Sequence, residues 1–328
     1  MQIISELLAL GQYFLIKVVY AKGCEILRQK EINKILSADG LATVFIENEQ
    51  EKEKELLEEE IESARKSDVI ILALGEHYKQ SGEACSRSNI SLPENQINLI
   101  NELHKLSIPM VMILFNGRPI QLNNVEEKLD GILEVWFPGT TGAKAITEVI
   151  FGKVNPSGKL TMSFPQNVGQ CPIYYNHYNT GRPHTKNYRY VSRYQDIPTE
   201  SFYPFGYGLS YCSFKYVDLK LNKDWIQEND NIIVTVTVKN QSEYSGYEVI
   251  QLYIQDMYGS VVRPVKELKA FKKVFFRPYE VKFISFDIDV DMLKFWNDKL
   301  EFVAEEGQFK VFVGGNSENV LEKEFTLI

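Results

Sequence analysis

Histidine and cysteine are scarce in this chain, with four of each among 328 residues. Cys24, Cys85, Cys171 and Cys212 stand far apart and form no C-x-x-C pair, so the spacing of zinc ribbons and dithiol redox sites is missing. His77, His104, His177 and His184 show no metal-ligand spacing either, and no metal is expected. A basic excess is also lacking: Lys plus Arg number 36 against 44 Asp plus Glu, which argues against binding nucleic acid by neutralising phosphates. No apolar run reaches the length of a membrane span. Residues 1–16 carry Glu6 in their middle, with no basic segment before and no small-residue cleavage site after, so a secretory leader is not expected there. The native compartment stays open.

What is present is ordinary globular material, 44% apolar and 24% charged, long enough for two or three domains with real cores. Much of the net charge of −8 sits between Glu47 and Lys66, where nine Glu face three Lys and one Arg. Leu56, Leu57, Ile61 and Ala64 recur there at roughly helical spacing, predicting a solvated amphipathic helix.

Two periodicities divide the sequence. Up to about residue 165, continuous apolar runs at 17–21, 68–75, 109–115 and 131–137 alternate with helical segments. That is the pattern of a mostly parallel sheet covered by helices, an α/β sandwich. One helix is expected after Ser91-Leu92-Pro93-Glu94, with Ile97, Ile100, Leu103 and His104 on its buried side or boundary. Another is expected from about Thr141 to Gly152, with Ala145, Ile146, Val149 and Ile150 as its stripe. From about Ile232 the period becomes two, at 232–238, 249–254, 282–288 and 308–313, as in an immunoglobulin or fibronectin type III sandwich. The expected division is an α/β domain over 1–166, a long linker rich in aromatics, Pro and Gly over 167–215, and an all-β domain over 216–328. Trp225, Trp296, Tyr253 and Tyr258 are expected to serve core packing or linker contacts rather than sugar stacking.

Ligands approach an open parallel sheet at the carboxyl ends of its strands. The run 68–75 leads there into a polar stretch of about fifteen residues containing Glu76, His77, Lys79, Glu83 and Arg87, the side chains from which acid and base chemistry is assembled. Gly82 permits a tight bend beside Glu83. From residue types alone Glu83 reads first as a solvated surface charge, and His77 as a solvated or locally bonded imidazole ahead of a substrate-orienting one. Gly139-Thr140-Thr141-Gly142 opens a helix but lacks the lysine and spacing of a P-loop.

The motifs Gly75-Glu76, Gly82-Glu83-Ala84-Cys85-Ser86-Arg87, Asn116-Gly117-Arg118-Pro119, Val135-Trp136-Phe137-Pro138-Gly139 and Asn155-Pro156-Ser157-Gly158-Lys159-Leu160 run in order along the chain. Together with Tyr174-Tyr175-Asn176-His177-Tyr178-Asn179-Thr180-Gly181-Arg182-Pro183, Tyr203-Pro204-Phe205-Gly206-Tyr207-Gly208 and Arg263-Pro264-Val265-Lys266-Glu267-Leu268, they closely resemble the C-terminal part of glycoside hydrolase family 3 β-glucosidases, of the bacterial periplasmic kind. The resemblance implies an α/β sandwich followed by a fibronectin type III-like domain, both lying after a (β/α)8 barrel that this sequence does not contain. It implies a retaining mechanism without a cofactor, in which an Asp of the barrel is the nucleophile and Glu83 the general acid/base. Glu76, His77 and Arg87 are then supporting or substrate-binding residues.

Retaining hydrolysis needs its two carboxyl groups about 5–5.5 Å apart across the sugar, and this chain brings one of them. The expectation is therefore a half-site, inactive or nearly so alone. It would act on β-glucosides or related oligosaccharides when a barrel, in a separate chain or a family homologue, completes it, and an apolar docking face near the strand ends would receive that barrel. A non-catalytic carbohydrate-associated or structural module, or an inactive gene fragment, is the alternative. Residues 1–16 do not match the family's entry into the α/β domain.

Overall fold

The computed structural model describes residues 17–328 except Asp39, Ala42, His184, Lys186 and Asn187. The expectations for residues 1–16 and for His184 therefore lie outside the described residues. By compactness the chain forms two units, one running to Lys153 with Gln166–Gly169, the other comprising Val154–Pro165 and Gln170–Ile328.

The first unit is α/β. Helices α1 (Gln29–Ala38) and α2 (Glu49–Ala64) precede β1 (Ile70–Gly75), α3 (Glu94–His104), β2 (Met110–Phe115), β3 (Gly131–Glu134) and α4 (Gly142–Ile150). The strands form a parallel sheet in the order β1-β2-β3, with Ile70 opposite Met110 and Val111 opposite Gly131. β2 is central, and its run of apolar side chains follows from cover on both faces: Met110, Met112, Ile113 and Leu114 are all buried. The run 17–21 was expected to be a strand and is not one. It pairs with no described strand and leaves Val19 and Tyr20 more than half exposed, because an apolar run becomes a strand only where a neighbouring edge accepts its hydrogen bonds.

The acidic segment forms α2 as expected. Only Ala64 is buried, and the exposed face carries the i, i+4 pairs Lys54–Glu58 and Glu62–Lys66. Arg28 binds Glu53 at 2.9 Å and Glu94 at 2.7 Å, tying the segment before α1 to α2 and α3. Pro93 occupies the N-cap position of α3 rather than its first turn, and Leu99, Ile100 and Leu103 are buried with Asn95 and Gln96. In α4 the buried face is Gly142, Ala143, Ile146 and Thr147, while Ala145 is exposed. The face is rotated from the expected stripe because Thr147 donates its hydroxyl to Ala143 O at 2.6 Å and so enters the interior satisfied.

The second unit is a β-sandwich. β4 (Phe214–Leu221), β5 (Trp225–Ile226), β6 (Asn231–Asn240), β7 (Gly246–Asp256), β8 (Glu267–Phe276), β9 (Val281–Asp289), β10 (Phe295–Trp296), β11 (Phe302–Val303), β12 (Gly307–Gly314) and β13 (Val320–Leu327) make up its strands. One sheet has the order β5-β13-β12-β7-β8 and the other β4-β6-β9, with β10 and β11 a separate short hairpin, all antiparallel apart from the short β5–β13 pair. β6 turns Ile232, Val234, Val236 and Val238 inward, its outward residues polar apart from Ile233, and meets Ile250, Leu252, Ile254, Phe286, Ile288, Val311 and Val313 in one core. β7 is buried on both faces over its middle, from Ile250 to Ile254. Its Gln251 donates to Gly206 O and Gly315 O, and Tyr175 of the aromatic segment lies edge-on to Tyr253 at 5.6 Å and stacks on Phe205 at 4.3 Å. Tyr253 is thus in the core as expected, whereas Trp225, Trp296 and Tyr258 are exposed. They lie at or beside strand ends, where no second layer covers them.

Segment Val154–Pro165 is fastened to this sandwich. Asn155 donates to Ser245 O at 2.9 Å and accepts from Tyr211 N at 2.9 Å, Leu160 N donates to Tyr207 O at 2.7 Å, and Lys159 pairs with the buried Glu248 at 3.2 Å. Tyr216 donates its hydroxyl to the same Glu248 oxygen at 2.8 Å.

Candidate active site

Three parallel strands bring their carboxyl ends to one edge of the first unit: Gly75-Glu76 after β1, Asn116-Gly117-Arg118 after β2, and Glu134 at the end of β3. Gly75 is required by its backbone. Its φ of +144° is closed to L side chains, and a Cβ there would overlap the carbonyl oxygen of Phe115. Gln96 of α3 acts as a missing strand for Gly75, accepting from its N–H and donating to its carbonyl, both at 2.8 Å, and also donating to Ile26 O. These bonds fix where Glu76 begins.

Glu76 is buried and fully engaged. Oε1 accepts from Arg87 Nη1 at 2.5 Å and lies 3.4 Å from Arg118 Nε, while Oε2 accepts from Gly117 N at 3.1 Å. A carboxylate neutralised by two guanidinium groups and a backbone N–H is an anchor. Arg118 also grips the loop itself, donating to the carbonyls of Gln80 and Cys85. The clamp therefore closes both limbs of the loop and leaves residues 81–84 as its tip.

Glu83 stands at that tip. It is exposed, flanked by Gly82 with φ +117° and Ala84 with φ +57°, two residues of positive φ that turn the chain sharply on either side of it. Among the described residues no hydrogen bond or ion pair holds its carboxylate. His77 acts locally, capping the short 3-10 turn Tyr78–Gln80: its Nδ1 accepts from Lys79 N, and the Gln80 side chain accepts in return from His77 N. Burial, and then the Lys79 charge, push the imidazole below its usual value and favour the neutral form. Tyr78 and Phe137 are the large exposed apolar residues on these connections. Among the described residues no group of three His, Cys, Asp or Glu side chains converges as a metal site would need.

The sequence points to Glu76, His77, Glu83 and Arg87 on one loop, and the structure places them there. The sequence presents Asn116 and Arg118 only within a motif, and leaves unseen the use of Asn116, which follows an apolar run, and of Glu134, which lies inside one. Asn116 is fully buried. Its Nδ2 donates to Arg118 O at 2.8 Å. Glu134 Oε1 accepts from Trp136 N at 2.9 Å, and burial pushes the Glu134 carboxyl up to about 7, against the lowering influence of that N–H and of the Asn116 amide.

The first unit is thus a parallel sheet with a clamped, carboxylate-bearing loop at its strand ends, and the second an antiparallel sandwich. Residues 10–211 match the glycosyl hydrolase family 3 C-terminal domain, and residues 248–317 match the fibronectin type III-like domain. The chain belongs to glycoside hydrolase family 3. It is 42% identical over 314 residues to a periplasmic beta-glucosidase of Salmonella typhimurium, covering 95% of this chain and 41% of that protein. A beta-xylosidase of Formosa agariphila is 36% identical over 92% of this chain and 38% of its own length. The crystal structure of a beta-glucosidase from Listeria innocua in complex with gluconolactone superimposes with a TM-score of 0.78 at 44% identity, over 87% of this chain and 39% of that one. The chain thus spans about two fifths of the length of these relatives.

Proposed function

We propose that this chain carries the acid/base half of a retaining β-glycosidase, acting on terminal β-linked glucosyl or related residues when a (β/α)8 barrel supplies the nucleophilic Asp. The observation that carries this reading is the division of labour between the two loop glutamates. Glu76 has both oxygens occupied and is buried, so it has no freedom to exchange protons with a sugar. Glu83 is held outward by the clamp that Glu76 anchors, and its carboxyl is free. In the first step Glu83 would protonate the departing glycosidic oxygen; in the second it would take a proton from the water that hydrolyses the glycosyl-enzyme. Arg87 serves by holding Glu76, and His77 by shaping the first turn of the loop.

Turnover of an aryl β-glucoside tests this, by the chain alone and by the chain mixed with a separately expressed family 3 barrel. The chain alone should match the buffer blank and the mixture should hydrolyse. In the mixture, Glu83→Ala should lower kcat on poor leaving groups by roughly 10²–10⁴-fold and on nitrophenolate-like leaving groups far less. Appreciable turnover by the isolated chain, or equal slowing for good and poor leaving groups, contradicts the assignment. Specific binding of gluco-oligosaccharides by the free chain in calorimetry, unchanged by Glu83→Ala, would instead favour a non-catalytic carbohydrate-associated module.

A further inference from the structure

Gly117 is a glycine for reasons of space rather than of backbone. Its φ lies outside the left-handed region, so an L residue could adopt the conformation there, as it could not at Gly75. A Cβ at 117 would nevertheless overlap both Cβ and Oγ of Ser81, and would stand 3.0 Å from Phe137 Cε2. The Phe137 contact is the far end of a ring and yields by a small shift. The Ser81 contact does not. Its Oγ can turn away about χ1, but its Cβ is fixed by the backbone, so no rotamer relieves the overlap. Ser81 is partly buried and begins the tip of the Glu83 loop, directly before Gly82. The limbs on either side of that tip are drawn to the same turn, since Arg118 donates to Gln80 O and Cys85 O, and Gly117 N donates to Glu76 Oε2 at 3.1 Å. Arg118 thus pulls the loop in, and Ser81 against the bare Gly117 Cα sets where it stops.

We propose that Gly117 and Ser81 are positioning residues: the space left by the missing side chain at 117 is the seat of the loop tip, and it fixes the place from which Glu83 projects. An added methyl group in a filled space is relieved by backbone shifts. With Ala at 117, the backbone at Ser81 has to retreat by about 1 Å and carries Gly82 and Glu83 with it, and a misplacement of that size in a reacting group can cost roughly 100-fold in rate. Without such a seat the same substitution would be neutral or slightly stabilising, because Ala restricts the unfolded chain at a φ it tolerates. The two cases therefore differ in sign. The bearing on catalysis rests on the reading of Glu83 given above, whereas the movement of the tip is measured without substrate, so either can fail alone.

Cys85 reports that movement. Its thiol is partly buried and lies 3.2 Å from both Lys79 O and Glu83 O, so a lifted tip uncovers it. In the full chain, alkylation of Cys85, followed by peptide mass spectrometry, should be roughly tenfold faster in Gly117→Ala than in the wild type. Cys24 of the same unit and the exposed Cys171 of the other should keep their rates, which separates a raised tip from an unfolded unit. Ser81→Gly removes the colliding atoms, so adding Gly117→Ala to it should change the Cys85 rate by less than about twofold; in Ser81→Ala, which keeps Cβ, the tenfold effect should persist. Equal Cys85 rates in the wild type and Gly117→Ala overturn the proposal. So does a Gly117→Ala effect of the same size with and without Ser81→Gly, a comparison that holds even where Gly117→Ala alone exposes Cys24. In a mixture with a family 3 barrel, Gly117→Ala should lower kcat on poor leaving groups by roughly 100-fold, with KM and good leaving groups much less affected, and Ser81→Gly should cancel the loss. A raised tip with unchanged turnover of poor leaving groups would leave the seat standing and sink the acid/base reading of Glu83.

Discussion

Replacing Lys159 with Met removes the cation from the buried cluster that joins Val154–Pro165 to the sandwich while keeping most of the side chain's bulk. Lys159 lies 3.2 Å from Glu248 and donates to Gly208 O at 2.9 Å, and both members of the pair are largely buried. Without it Glu248 keeps the Tyr216 hydroxyl and the Val249 N–H but no cation, and has two courses. It can stay ionised, at about 3–5 kcal/mol for an uncompensated buried charge, or take up a proton. From the usual value of 4.5, protonation at pH 7 costs about 3 kcal/mol, and the cheaper course sets the loss. Burial already pushes Glu248 up in the wild type, opposed by Lys159 and Tyr216, so part of that cost is present before the substitution. The sign follows. A carboxyl raised in the folded state leaves stability intact below its unfolded value and erodes it as pH climbs toward the folded value, and removing Lys159 extends that window upward. We expect Lys159→Met to destabilise the sandwich by about 2–4 kcal/mol at pH 7 and by about 1 kcal/mol at pH 5, where the remaining loss is the unpaired Gly208 carbonyl. Native-state hydrogen exchange of the β7 amides and of Leu160 N–H reads this out for the sandwich separately from the α/β unit. Adding Glu248→Gln should return most of the loss. An equal loss at both pH values, or a double variant no better than the single one, would refute the electrostatic account.

The strand-end machinery makes two further predictions about the α/β unit. Gly75→Ala should cost more than about 4 kcal/mol or abolish folding of the unit, because it combines a forbidden φ with overlap on the Phe115 carbonyl; near-normal circular dichroism and melting would show that the backbone relaxes more freely than its geometry implies. Gln96→Leu keeps the apolar bulk but strips both partners from Gly75, leaving a buried N–H and carbonyl worth about 3 kcal/mol together, which should lower the melting temperature by about 10 °C; a shift within a degree or two of wild type would mean that water replaces the amide.

What the sequence discloses and what it hides follow from where the signals are local. β2 and β6 are legible because cover on both faces gives the first a continuous apolar run and cover on one face gives the second an alternation. The run 17–21 has the same apolar look as β2, and only the absence of a described neighbouring strand, a tertiary fact, tells them apart. β4, β8 and β13 escape detection because lysines, glutamates and an aspartate break their alternation, as in Lys215, Asp218, Lys272, Lys273, Glu322 and Glu324. The loop holding Glu76, His77, Glu83 and Arg87 is legible as a concentration of polar side chains directly after an apolar run. The clamp is not, because Arg118 reaches back across more than thirty residues to Gln80 and Cys85. A weaker signal is nonetheless present in the chain. Glu76 and Asn116 directly follow two apolar runs of a parallel sheet, a place where buried polar residues need partners and where ligands approach. Taking the polar residue that follows each run as one set, rather than each loop alone, groups Glu76 and Asn116 on sequence grounds, whereas Glu134, inside the run 131–137, is placed at a strand end only by the structure. Glu76 then stands out as the carboxylate that neighbouring strand ends can hold, and Glu83, out on the loop, as the one left free.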